Sequence, residues 1–148
     1  WSIKNDEFDG MRNYIREMAD TVQESGKKVR MWGSMKQYFD DKGISTKDYT
    51  DIEIDFWSNS WDNAAKRSAE GFKIVNVDSF HLYGNTGRDK RDVVNVEHIF
   101  NNWTPVTFSS SGTVQPADPN LLGAKTAMWA DIADMGVTER DNYERLSL

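Results

Sequence analysis

A chain of 148 residues is long enough for one domain with a sizeable core. Its net charge of −6 and lack of any basic run argue against a nucleic-acid backbone as partner, and the absence of cysteine excludes disulfides and thiolate metal sites. No apolar run approaches the ~20 residues of a membrane span. Six tryptophans is a large number for this length and favours a flat-faced ligand such as a carbohydrate. The chain opens on Trp1 rather than Met, so it is expected to be a piece of a longer protein.

Residues 8–24 carry the clearest helical pattern. Phe8, Met11, Ile15, Met18, Ala19 and Val22 recur at three- and four-residue steps, giving one apolar stripe. Asn5 or Asp6 is positioned to cap the start, and Gly26 to end the helix in a left-handed conformation. Residues 27–32 follow as a strand ending in Trp32, then a long polar connection through residue 50, with a turn near Asp40-Asp41-Lys42-Gly43. In 51–57, Ile52, Ile54 and Phe56 alternate with Asp51, Glu53 and Asp55. That alternation predicts a strand ending at Trp57 with its acids on a solvated face. No histidine accompanies the acids, which weighs against a metal site. Ser60 is expected to cap a helix reaching Glu70, with Ala64, Ala65 and Ala69 turned inward and Gly71 ending it. Asp40, Asp41 and Asp62 read as surface acids.

Residues 72–77 form a third predicted strand, leading through Asp78 and His81 to Tyr83 and a Gly/Asn-rich loop. A short helix over 94–102 ends before Trp103-Thr104-Pro105, which opens a second loop. His81 and His98 lack metal-ligand spacing and read as polar loop or helix residues. Residues 121–131 read as one short buried strand, and Thr138 as the cap of a last helix. Strands alternating with helices and no hairpin signal predict an α/β fold with parallel strands. A TIM (β/α)8 barrel takes ~250 residues, so residues 1–148 correspond to a single partial domain of about four βα units. An open doubly wound sheet is the alternative. It would need a Gly-rich phosphate loop, and Gly84-Asn85-Thr86-Gly87 lacks the third glycine and a strong helix start.

Trp129 and Asp131 stand two residues apart on one face of the last predicted strand. An aromatic plate beside a carboxylate suits a sugar: the ring covers an apolar sugar face and the carboxylate accepts hydroxyl hydrogen bonds. All three strand-end tryptophans, Trp32, Trp57 and Trp129, fall at C-terminal strand ends, where barrel enzymes place their sites. This order also contains Lys73-Ile74-Val75-Asn76, Leu82-Tyr83, Asn102-Trp103-Thr104-Pro105 and Gly123-Ala124-Lys125-Thr126-Ala127-Met128-Trp129-Ala130-Asp131. It resembles the second half of the catalytic barrel of family 20 glycoside hydrolases, the β-N-acetylhexosaminidases and their lacto-N-biosidase relatives. The resemblance covers nearly the whole chain and is nearest to Gram-positive bacterial surface enzymes.

The resemblance implies roles. Trp32, Trp57 and Trp129 would wall a pocket for the N-acetyl group. The hydroxyl of Tyr83 would hold the acetamido oxygen, as the catalytic residue of this chain. Asp131 would bind sugar hydroxyls, Trp103 would be a platform for the next sugar, and Asn85 stands where the family often has an aspartate. The implied mechanism is substrate-assisted retaining hydrolysis, an exception to the two-carboxylate scheme. The family's catalytic Asp-Glu pair is expected upstream. Asp6-Glu7 reads instead as an acid pair at a helix start. No cofactor and no metal are expected. The partners implied are an N-acetylated glycan and the N-terminal half of the same barrel. Exposed sheet edges would favour a homodimer of the half-barrel alone. A secreted or cell-surface bacterial parent protein is implied. The alternative is a non-catalytic carbohydrate-binding or structural half-barrel.

Overall fold

A computed structural model describes residues 7–33, 35–58, 60–85, 94–109, 113–129 and 138–146. In chain order the elements are α1 (Asp9–Glu24), β1 (Arg30–Trp32), α2 (Met35–Tyr38), β2 (Glu53–Phe56), α3 (Ala64–Glu70), β3 (Ile74–Asn76), α4 (Ser79–Leu82), β4 (Tyr83–Asn85), α5 (Val96–Asn102), β5 (Leu121–Ala124), β6 (Ala127–Trp129) and α6 (Glu139–Leu146). Two 3-10 turns, Asp40–Lys42 and Lys47–Tyr49, occupy the long connection before β2.

β1, β2, β3 and β5 form one parallel sheet in that order. Within this sheet the strands follow chain order without reversal, with β4 set aside in a second sheet, as in an arc of a barrel rather than a doubly wound sheet, whose order reverses at a switch point. The predicted single strand over 121–131 is instead two. β5 pairs with β3, while β6 pairs with β4 in a second small parallel sheet. The cause lies in β3, which ends at Asn76. The backbone N–H of Lys125 donates to the Asn76 carbonyl at 3.0 Å. Beyond that point β5 has no partner on β3, and the chain crosses to β4. Gly84 pairs with Met128 there, and a Cβ on it would stand 3.2 Å from Met128 Sδ.

The register separates two faces. Met31, Ile54, Ile74 and Leu121 lie side by side on the helix-covered face. They pack there with Met35, Phe39, Phe72 and Phe108. Trp32, Asp55, Val75 and Gly123 lie side by side on the other, inner face. The register of β5 shifts at this point: Ile74 faces Leu121 but Val75 faces Gly123. Leu122 is therefore an extra, bulged residue, and Gly123 and Lys125 turn inward.

α1 forms as expected, but less of its stripe is covered. Ala19 is buried, whereas Met11 and Met18 remain 42% and 44% exposed. Polar contacts seat it. Buried Arg12 donates to the Tyr38 carbonyl at 2.7 Å, and Arg16 forks onto both carboxylate oxygens of Asp51 at 2.9 and 2.8 Å. Phe8 occupies the N-cap position without a side-chain cap, and Asn5 and Asp6 lie outside the described residues. Gly26 closes the helix at φ 73°.

α3 corrects three expectations. It begins at Ala64, capped by Asn63, which accepts from Lys66 N at 2.9 Å, so Ser60 is not its cap. Its inward face is Ala64, Arg67 and Ser68, with Ala69 exposed. Asp62 is a core residue, not a surface acid: it is 0% exposed and accepts from Met35 N, Asn63 N and Arg67 Nε at 3.0, 2.9 and 2.8 Å. Arg67 also donates to Glu70 and Asp40 at 2.7 and 2.8 Å. Burial alone would lower the pKa of this guanidinium, but its carboxylate neighbours outweigh burial and raise it.

Candidate active site

The C-terminal ends of the parallel strands gather the aromatic residues. Trp32 ends β1, Trp57 follows β2 directly, and Trp129 ends β6. The Trp32 and Trp129 rings lie 5.4 Å apart between centroids, and Trp129 lies 5.7 Å from Tyr83. These three form one aromatic wall. Trp57 stands beside it rather than in ring contact. Its indole N–H donates to the Gly33 carbonyl at 3.2 Å, and its ring stacks on Trp61 at 5.9 Å. Gly33 is tightly held itself, donating to the Asp55 carbonyl at 2.8 Å, with room for a Cβ only 3.3 Å from that oxygen. Trp61 was not singled out from the sequence, although its spacing from Trp57 across a tight turn is a usable signal.

Tyr83 sits at the start of β4, half-buried. Burial pushes its hydroxyl up to about 12, a polar contact with Trp129 pulls the other way, and the negative charges of Asp55 and Asp78 add to the rise. The phenol keeps its proton at neutral pH and can donate a hydrogen bond. Asn85 ends β4 opposite Trp129, and only its backbone position is described. Asp131 lies outside the described residues.

Trp103 belongs to a separate cluster, 6.1 Å from His81. His81 stacks on His98 with centroids 5.5 Å apart and bonds through Nδ1 to Asp78. Asp78, 2% exposed, also accepts from Ser109. Asn76 fixes this region from below: its amide donates to the Pro105 and Thr107 carbonyls at 2.9 and 2.8 Å. Both histidines lie on helices, α4 and α5. Among the described residues no group of three or more His, Cys, Asp or Glu could hold a metal ion.

The inner face beneath the aromatic wall is charged. Glu53 and Asp55 are 7% and 4% exposed, contrary to the expected solvated face. Their burial is explained by cations from β1 and from the residue that follows β5. Arg30 on β1 donates to Glu53 at 2.6 and 2.9 Å, and Lys125 donates to Asp55. Asp51, outside β2, is the exposed acid of the three.

A family model for the catalytic domain of glycosyl hydrolase family 20 matches residues 3–148. A search of curated proteins finds no match. Among solved structures, the tandem family 20 catalytic modules of the pneumococcal exo-β-D-N-acetylglucosaminidase align with a TM-score of 0.64 at 18% identity, covering 91% of this chain and 34% of that one. The Vibrio harveyi exo-β-N-acetylglucosaminidase, in complex with N-acetylglucosamine, aligns with a TM-score of 0.60 at 20% identity, covering 88% of this chain and 20% of that one. The chain thus spans 34% and 20% of the length of these neighbours. At such identity the likeness is one of fold. Helices over a parallel sheet in sequential order, with the family match running almost end to end, show that this chain belongs to glycosyl hydrolase family 20 and forms an arc of its α/β barrel.

Proposed function

We propose that the chain supplies the acetamide-binding part of the active site of an exo-acting β-N-acetylhexosaminidase. The single observation that carries this is the Trp32–Trp129–Tyr83 cluster, an aromatic wall ending in a phenol that keeps its proton. Substrate-assisted hydrolysis needs the acetamide bent beneath the sugar ring. The acetamido oxygen then attacks the anomeric carbon as the leaving oxygen is protonated, and water opens the resulting oxazolinium ion. An indole wall confines the methyl group, and the Tyr83 hydroxyl donates to the acetamido oxygen, which preorganises that attack. Trp103, with His81 beside it, is assigned the role of platform for the next sugar.

The general acid is expected from residues outside this chain. Glu7, half of the Asp6-Glu7 pair, is bound by Lys42 Nζ at 2.7 Å ahead of α1, which suits a surface ion pair better than catalysis. The remainder of the barrel would complete the site across the open edge of β1. The substrate is an N-acetylated glycan, and the setting a secreted or surface-attached bacterial protein.

The test is hydrolysis of an aryl β-N-acetylglucosaminide by this chain alone and by the chain joined to its upstream coding region. Turnover only by the longer protein is expected. Turnover by the short chain would put the acid within these residues, with Asp6 and Glu7 examined first. Binding of N-acetylglucosamine without turnover by either would favour a non-catalytic carbohydrate-binding role.

A further inference from the structure

We propose that Lys125 and Asp55 form a positioning pair that sets the plane of Trp32, and so the back wall of the acetamide pocket; this rests on the glycosidase reading above. The bulge at Leu122 turns Lys125 to the inner face of the sheet. Gly123, one level below it, carries no side chain, and Val75 beside it is small. The lysine stem therefore has an open path across β3 to β2, about 10 Å away at ~4.8 Å per strand. Its ammonium donates to Asp55 and stands 5.0 Å from the centroid of the Trp32 ring. Asp55 is opposite Trp32 in register. One cation is thus shared by a buried carboxylate and the face of the pocket's first indole.

That indole is otherwise weakly held. It is 38% exposed, on a strand paired on one side only among the described residues, and its other ring neighbour is Trp129. A cation over an indole face fixes ring orientation as well as position. The second oxygen of Asp55, Oδ1, is buried with no hydrogen-bond partner among the described residues, and Arg30 Nε stands 3.9 Å from it. Among the described residues Lys125 therefore provides the closest ion pair of a carboxylate 4% exposed, and the carboxylate in turn holds the ammonium against Trp32. Lys125 touches no reacting atom in this scheme. It acts through the indole.

The experiment uses Lys125→Met, Lys125→Arg, Asp55→Asn and the Lys125→Met/Asp55→Asn double variant in the full-length protein. A misplaced wall acts on the attack geometry, where small displacements cost up to about 10²-fold in rate. Lys125→Met is expected to lower kcat for an aryl β-N-acetylglucosaminide by about 10- to 100-fold, with KM much less changed. Lys125→Arg should restore most of it, and the double variant should be no worse than the worse single one. The near-ultraviolet circular dichroism of the tryptophans should change in Lys125→Met and return in Lys125→Arg. An unchanged kcat in Lys125→Met, or a fall only in melting temperature, would overturn the pair's role. If the unaltered full-length protein hydrolyses no such substrate, the glycosidase reading fails separately. The dichroism then decides the pair: a signal untouched by Lys125→Met overturns it.

Discussion

Trp129 and Tyr83 meet across two short parallel strands, their rings 5.7 Å apart, with Asn85 opposite Trp129 in register. The contact makes one wall of indole and phenol from segments that are distant in sequence. If the Tyr83 hydroxyl orients the acetamido oxygen, its removal should act on the transition state. Tyr83→Phe in the hydrolytically active protein is expected to cut kcat by roughly 10²–10³-fold, the loss typical of a preorganised donor. KM should move little. Steady-state kinetics on an aryl β-N-acetylglucosaminide measures this, and near-normal turnover would remove Tyr83 from the mechanism.

The same tyrosine makes a pH prediction. Its hydroxyl is pushed up to about 12, against an ordinary value of 10.0. A folded-state pKa above the unfolded one means that the folded chain binds more protons between the two values. The stability linked to Tyr83 is therefore complete below about pH 10 and lost as pH rises toward about 12. Tyrosinate absorbance followed through alkaline titration should show late titration by Tyr83 and by Tyr49, which burial also raises, and Tyr83→Phe should remove the latest step. Equal titration of all tyrosines near the ordinary value would contradict the burial assigned to it.

Arg67 anchors α3 with a side chain 0% exposed, held by Asp62, Asp40 and Glu70. Removing the guanidinium leaves Asp62 buried and short of its cation. Breaking one partner of such a pair costs about 3–5 kcal/mol. Arg67→Met is expected to destabilise the chain by that amount in urea unfolding, and Arg67→Met/Asp62→Leu by less, since no buried charge is then uncompensated. A loss below about 1 kcal/mol in the single variant would mean that water replaces the guanidinium.

These residues mark the limits of what the sequence discloses. The strand-end tryptophans were legible because period-two alternation and the barrel's geometry place them without tertiary detail. The parallel order of β1, β2, β3 and β5 followed from alternating strands and helices. The burial of Asp62, Glu53 and Asp55 was not legible. An acid reads as exposed until its cation is known, and Lys125 reaches Asp55 from 70 residues away. The break between β5 and β6 was hidden for a similar reason: Leu121 to Trp129 is continuously compatible with a strand, and only the end of β3 at Asn76 divides it. Trp57 was rightly placed at a strand end, but its stacking partner Trp61 comes from the following turn. Asp131 lies outside the described residues, so its expected part in the site stands as a proposal.

The exposed apolar face beside β1 supplies the last prediction. Met11, Tyr14 and Met18 are 42%, 58% and 44% exposed, and they border a groove shared with Val29, Met31 and Trp32. β1 also has a strand neighbour on one side only among the described residues. In a whole barrel the preceding βα units would cover both features. By itself the chain presents an apolar surface next to an unpaired strand edge, which favours association with a second copy. Size-exclusion chromatography with light scattering is expected to show a dimer or larger species for the 148-residue chain. Met11→Glu/Met18→Glu should return it to a monomer, because two carboxylates would have to be desolvated in the contact. If preceding βα units cover this face in a whole barrel, the same double substitution there should impair folding or activity. A monomeric chain that ignores the substitution would show that this groove is not a contact surface.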